Sequence, residues 1–174
     1  MPRDHDALRV WLRLMSVHKL IAGAIRHRFQ EKFAITLPRF DLMAQLHREP
    51  DGLRMVDLSN RLMVTSGNIT QITDQLEREG LVDRHPDPRS RRACLVKLTP
   101  VGRQAFEPIA SSHEEWVVEL LSGLSKKEKS SLLTLLAKEK LFLTSSSARA
   151  DGKERLKTRT RRQASKTRKM RGKG

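Results

Sequence analysis

Residues 58–84 read LSNRLMVTSGNITQITDQLEREGLVDR, and the spacing inside this stretch decides the fold. MVDLSNRL (55–62) sets Leu58 and Leu62 four residues apart, and SGNITQITDQLEREG (66–80) sets Ile69, Ile72 and Leu76 at steps of three and four. Both spacings gather apolar side chains on one face of a helix. Only Met63, Val64 and Thr65 lie between the two runs, so the chain must turn sharply from one helix into the next. Thr65 or Ser66 is suited to cap the second helix, and Gly80 to close it with a left-handed residue. Two short helices joined in this way form a helix-turn-helix pattern. Their crossing demands a small residue, and Ser59 fills that place.

With Ile69, Ile72 and Leu76 inward, the residues Ser66, Asn68, Thr70, Gln71 and Asp74 fall on or near the opposite face. Most of them belong to the N-terminal half, the part that meets base edges when such a helix lies in the major groove. Asn and Gln pair bidentately with adenine, and Ser or Thr hydroxyls reach bases or phosphates. Thr65, Ser66, Asn68, Thr70 and Gln71 are therefore the candidate DNA contacts of this helix. Solvation alone also produces a polar face on a short helix, and the residues that follow favour the functional reading. LVDR (81–84) and CLVKL (94–98) have the alternation of two strands, and the segment between them carries Pro86, Pro88, Arg89, Arg91 and Arg92. The prolines shape a loop that sets Arg91 and Arg92 at or near its tip. Arginines on a hairpin tip enter narrow A·T-rich minor grooves, where the negative potential is concentrated.

Outward from this centre the chain is helical. Leu8, Trp11, Leu12, Met15, Ala22, Ile25, Phe29 and Phe33 recur at helical steps over 6–33. A second helix starts at Pro38, carries Phe40, Met43, Ala44 and Leu46, and ends at EPDG (49–52). On the C-terminal side Thr99-Pro100 supplies a cap and a first-turn proline for a helix to about Leu121, bent by Pro108. Ser125-Lys126-Lys127-Glu128 is a capping box for a last helix to about Leu143. The fold class is mainly α with a small β-hairpin wing (α+β), a winged helix-turn-helix between N- and C-terminal helices long enough to pack against a second copy.

The chain has 174 residues and a formal charge of +15, which favours a polyanionic partner. The charge is concentrated at one end: residues 149–174 hold 12 Lys/Arg against 2 Asp/Glu, and this segment reads as a disordered basic tail. Such a tail adds salt-sensitive affinity for nucleic acid through counterion release. One cysteine, Cys94, excludes an intramolecular disulfide and points to a reducing, cytoplasmic setting. No apolar run approaches the roughly 18–20 residues needed to span a bilayer, and the charged N-terminus lacks a signal-peptide core. HEEW (113–116) lacks the second histidine of a helical zinc site, and no nucleophile–base pair or phosphate loop is present. These features predict no enzyme, no metal and no cofactor. By alternation Cys94 shares a face with Val96 and Leu98, which predicts a structural thiol rather than a redox sensor.

Taken together, LSNRLMVTSGNITQITDQLEREGLVDR (58–84) and DPRSRRACLVKLTPVGR (87–103) resemble the MarR family of transcriptional regulators (multiple antibiotic resistance regulator type), over roughly residues 8–143. The resemblance implies a 1–148 domain with a DNA-binding lobe at about 37–99 and dimerisation helices at about 6–34 and 100–143. It also implies a triangular homodimer on a pseudo-palindromic double-stranded operator, placing Ser66, Asn68, Thr70 and Gln71 toward bases and Arg91 and Arg92 on the wing, beside the Arg89 that the loop itself carries. Two positions depart from the family pattern. Ser90 stands where an acidic residue usually tethers the tip arginine, leaving Asp87 as the substitute, and Gln71 stands where many members carry Arg or Lys. Family members often sense small aromatic or phenolic compounds between the dimerisation helices and the lobe. That implies an effector site lined by Trp11, Met15, His18, Phe40 and Met43, with plain core packing as the competing role for each. Some relatives bind aryl-CoA thioesters, and Arg26, in the cluster Arg26-His27-Arg28, is the candidate for their phosphates, against a simple solvated helix face. The expected function is a ligand-responsive regulator, a repressor released by an aromatic acid or its CoA thioester, at the nucleoid in the cytoplasm. The alternative is a non-sensory architectural or RNA/DNA-binding protein driven by the tail.

Overall fold

The computed structural model describes residues 5–145, apart from the side chains of Arg91 and Arg92. The chain divides into two compact units, residues 1–121 and 122–174. The first unit runs α1 (His5–Phe33), α2 (Leu37–His47), β1 (Leu53–Arg54), α3 (Met55–Leu62), α4 (Ser66–Arg78), β2 (Val82–Asp87), β3 (Ser90–Leu98) and α5 (Pro100–Leu120). It is mostly helical, with one small antiparallel sheet of order β1-β3-β2.

The apolar stripe of α1 is continuous in sequence but only half of it is packed. Ala22, Ile25 and Phe29 are buried at helical steps, whereas Leu8, Trp11, Leu12 and Met15 are exposed in the single chain, Trp11 by 58%. The packed half meets α2 and α5 through an aromatic cluster. The Phe29 ring lies 4.7 Å from Phe40 and 5.4 Å from Trp116, and Phe40 lies 5.4 Å from Phe106. Polar contacts flank this one: Arg28 donates two 2.8 Å hydrogen bonds to Glu119, and the Lys32 ammonium reaches Ser112 Oγ at 3.0 Å. The same core continues through Leu42, Leu46, Leu58, Ile69, Leu76, Val82 and Val96. The helix-turn-helix and the sheet are therefore built on one apolar interior.

The sheet is larger than the alternation predicts. β1 has two residues, too short for any periodicity, and exists because Leu53 and Arg54 pair with Val96 and Leu95. β2 and β3 extend nearly to the hairpin tip. Their register is regular from Val82↔Leu98 to Pro86↔Cys94 and then jumps to Asp87↔Ser90, so Arg91, Arg92 and Ala93 are extra residues on β3. The irregularity falls at Pro86, which has no N–H to give to a ladder and sits on an edge strand, where proline is tolerated.

α5 starts as its sequence signals. Thr99 Oγ1 accepts the Gly102 N–H at 2.8 Å and donates to Gly80 O at 2.7 Å, while Thr99 N–H reaches Leu81 O at 3.1 Å. One residue thereby caps α5 and ties it to the end of α4. Gly102 is buried against Leu81, and a Cβ there would lie 1.9 Å from Leu81 O. α5 carries Pro108 within it and continues to Leu120.

In the second unit, a helix spans 126–145 (α6). Its capping box forms: Ser125 N–H reaches Glu128 Oε2 at 2.8 Å, and Glu128 N–H reaches Ser125 Oγ at 3.3 Å. Leu132, Leu133, Leu135, Leu136, Leu141, Phe142 and Leu143 on this helix are exposed in the single chain. No helix among the described residues is long and apolar enough to cross a membrane. The basic tail from 149 onward lies outside the described residues.

Candidate nucleic-acid interface

The turn between α3 and α4 is made by Met63, which takes a left-handed conformation at φ 54°, and by Val64, whose N–H bonds Ser59 O at 3.2 Å. Ser59 is buried at the crossing and returns its own hydroxyl to Val56 O at 2.9 Å. Its small size and locally satisfied oxygen allow the two helices to approach. Thr65 is the cap of α4, accepting the Asn68 N–H at 3.4 Å. At the other end Gly80, at φ 72°, closes the helix as its sequence position predicts.

The inward face of α4 differs in one place from its apolar pattern. Ile69, Thr73 and Leu76 are buried, and Ile72 is only half-buried. Thr73 takes the inward place because its hydroxyl donates to Ile69 O at 2.7 Å, which removes the cost of burying it. Ser66, Asn68, Thr70 and Gln71 are all exposed on the N-terminal half. The Thr70 hydroxyl donates to Ser66 O at 2.9 Å, so its oxygen is held close to the helix. Asp74, which the sequence pattern puts near this polar face, is instead paired with Arg84 of β2, as is Glu77. Arg84 thus braces α4 against the wing and offsets two carboxylates beside a surface that would face phosphate.

The wing tip is the turn Pro88-Arg89, with Asp87 and Ser90 paired beneath it. Arg91 and Arg92 lie near the tip, on β3 just beyond the turn, and their side chains are outside the described residues. Arg89 is exposed at the tip itself. Asp87 serves as a tether for the turn itself. Its Oδ1 accepts the Arg89 backbone N–H at 2.8 Å, and its Oδ2 accepts Arg54 Nε at 2.5 Å. The Arg89 N–H, followed by Arg54, holds the Asp87 carboxyl below the usual carboxylate range.

A cleft of about 430 Å³ lies between α2 and α5, lined by Phe40, Ala44, His47, Arg48, Phe106, Ala110, His113, Glu114, Val117 and Val118. Of the six effector-site residues suggested by sequence, Phe40 lines this cleft. Met43 is in the core, only 2% exposed. Trp11, Met15, His18 and Arg26 are exposed on α1 and do not line it. His18 is not a buried histidine, because the N-terminal half of α1 has no cover in the single chain. Two neighbours of Arg26 are engaged elsewhere: His27 lies 3.3 Å from Glu31, and Arg28 is clamped on Glu119. His47, Arg48 and His113 were not suggested by sequence. Their positions on α2 and α5 carry no local signal, and only the packing of the two helices brings them together.

His113 stacks 5.7 Å from Phe29 and lies tilted 4.5 Å from Phe40, and burial lowers its pKa from the ordinary imidazole value. Protons then bind more readily to the unfolded chain. The stability this neutral histidine supports is complete above the unfolded pKa of about 6.5. It declines as pH falls through that value and stops declining below the folded pKa. His113→Phe should flatten the fall in melting temperature between pH 7 and 5. Parallel acid profiles of wild type and variant would contradict this.

Comparison with known proteins agrees with this geometry. The MarR family profile matches residues 35–94, from just before α2 into β3. The chain is 29% identical over 133 residues to the HTH-type transcriptional regulator YkoM of Bacillus subtilis (strain 168), covering 72% of this chain and 85% of that protein. The solved MarR family transcriptional regulator from Silicibacter pomeroyi is 30% identical with a TM-score of 0.67, covering 79% of this chain and 95% of that one. A cysteine-to-serine mutant of MarR from E. coli, complexed with operator DNA, shares the fold with a TM-score of 0.68 at 24% identity, covering 79% of this chain and 98% of that one. The turn geometry of α3 and α4, the three-stranded wing and the 30% identity over nearly all of a solved member lead to one assignment: this chain belongs to the MarR family of winged helix-turn-helix transcriptional regulators.

Proposed function

We propose that the protein binds double-stranded operator DNA as a homodimer and represses transcription until a small aromatic acid, free or as its CoA thioester, releases it. The observation that carries the DNA reading is the exposed Ser66/Asn68/Gln71 face of α4 beside an arginine-tipped wing, with the acids of α4 paired to Arg84. The fold is the one that MarR of E. coli presents to operator DNA. In this reading each α4 enters a major groove and each wing the neighbouring minor groove. The two half-sites then lie about 34 Å, one helical turn, apart. Dimerisation is supported by the exposed apolar residues of α1 and of α6, a liability for a lone chain. The effector reading is supported by the α2–α5 cleft, whose volume lies within the roughly 300–1,000 Å³ of small-ligand sites. Its aromatic walls, with His47 and Arg48 at hand, suit an aromatic anion. An effector acts by favouring a spacing of the two lobes that no longer matches the half-sites. Such a regulator works in the cytoplasm, at the nucleoid, and no catalytic role is proposed.

Selection of binding sites from random duplexes tests the DNA reading. A palindromic consensus of about 15–20 base pairs is the expected result. Flat enrichment would replace it with the alternative that the tail's charge favours, a non-sensory architectural protein. Calorimetry with aromatic acids and their CoA esters tests the effector, and silence across the panel removes that part of the proposal. The tail makes a separate prediction. Truncation after residue 147 should reduce the steepness of log K against log salt, by about 0.9 for each phosphate the tail no longer neutralises, and leave the selected consensus intact. An unchanged slope would assign the tail no part in binding.

A further inference from the structure

We propose that the Arg54–Asp87 ion pair sets the position of the wing tip relative to the helix-turn-helix, and that Arg89 is the residue it holds ready for the minor groove. The proposal rests on the DNA-binding reading above. The Asp87 side chain is only 2% exposed, and among the described residues each of its oxygens has one donor, Arg89 N–H at 2.8 Å and Arg54 Nε at 2.5 Å. Arg54 is itself fixed twice. It pairs with Leu95 in the sheet, and it is the N-cap residue of α3. The carboxylate therefore joins the tip to the first helix of the helix-turn-helix.

The tip needs such a connection because the ladder does not supply it. Regular pairing of β2 with β3 ends at Pro86↔Cys94, and three extra residues on β3 intervene before Asp87↔Ser90. A hairpin interrupted in this way can swing at its bulge. An aspartate accepting the N–H two residues on fixes the backbone of that residue, and with it the direction in which the Arg89 side chain leaves the turn. A charged partner shortens and strengthens such a bond. Ser90 has no carboxylate to do this from the other strand. Arg54 and Asp87 are accordingly positioning residues, and Arg89 is the contacting one.

The test uses the full chain and the duplex recovered by selection, with affinity read by fluorescence anisotropy. Arg89→Ala, Asp87→Ala and Arg54→Met should each weaken binding by roughly tenfold, the scale of one charged hydrogen bond. The double variant Asp87→Ala/Arg89→Ala should be no weaker than the worse single variant, because an untethered tip no longer delivers Arg89. Losses that multiply in the double variant would overturn the proposal, as would full affinity in Arg54→Met. Should Asp87→Ala fail to fold, Arg54→Met combined with Arg89→Ala runs the same cycle. Hydrogen exchange of the Arg89 amide in the free protein separates this proposal from the DNA reading. If the wild type binds no selected duplex, the DNA reading falls, and faster exchange in Arg54→Met still upholds the tether. Unchanged exchange in that variant overturns it.

Discussion

Replacing Asn68 and Gln71 together by alanine is expected to abolish preference for the selected sequence while leaving the protein folded. Both side chains are exposed on the N-terminal half of α4, and neither amide supports the core. The cap is unaffected, because Thr65 takes the backbone N–H of residue 68 and not its side chain. Alanine is also the better helix former at both positions. A bidentate amide–base contact discriminates by about 1–3 kcal/mol, so two per half-site amount to roughly 2–6 kcal/mol if they act independently. The affinity for the consensus should therefore fall by about 30-fold or more, toward that for unrelated duplex. Binding to unrelated duplex should hardly change, since phosphate contacts position the protein without reading sequence. Anisotropy titrations of both duplexes, with thermal unfolding as control, check the expectation. A double variant that still distinguishes the consensus by the wild-type ratio would move base recognition away from α4. The single variants then assign positions, each relaxing the consensus at its own base pair.

Gly102→Ala should destabilise the first unit by about 3 kcal/mol, the upper part of the range for overpacking. At an exposed helix position the same change gains up to about 1 kcal/mol, because glycine is the poorer helix former. Close approach reverses the sign here. The added Cβ would lie 1.9 Å from Leu81 O, 2.8 Å from its carbonyl carbon and 3.2 Å from its Cα. All three are backbone atoms, so no rotamer change gives relief. Moving α5 away would stretch the Thr99 N–H bond to Leu81 O and the Thr99 hydroxyl bond to Gly80 O, the two links between α5 and the end of α4. A fall of roughly 10 °C in melting temperature is the corresponding signal for a chain of this size. A neutral or stabilising result would mean that α5 and Leu81 stand further apart than they do here.

Much of this arrangement is legible along the chain. The helix-turn-helix follows from the spacing of Leu58, Leu62, Ile69 and Leu76, and α4 and α5 begin at their capping threonines. The exposed set Ser66, Asn68, Thr70 and Gln71 follows once the inward positions are known. Thr73 escapes the pattern because a hydroxyl that bonds its own helix four residues back is polar by type and satisfied by geometry. The cleft residues His47, Arg48 and His113 escape for a different reason. His47 and Arg48 stand at the C-terminal end of α2 and His113 on α5, and convergence of the two helices creates their proximity.

The wing shows where one kind of information ends and the other begins. Proline and arginine content announces a basic hairpin between two strands, and Thr99-Pro100 announces the helix after it. Those signals are local: caps act across three residues, turns across four, and helical faces across one or two turns. The second strand partner β1, the three-residue bulge at Pro86, the tip at Pro88-Arg89 and the tether from Asp87 to Arg54 all depend on register. Register is settled by which distant backbone groups and side chains can be satisfied at once, and Arg54 and Asp87 lie 33 residues apart. Sequence alone determined that this protein carries a winged helix-turn-helix with a polar face on its second helix. Only the tertiary structure decided which arginine stands at the wing tip and what holds it there, because closing that contact requires the whole sheet.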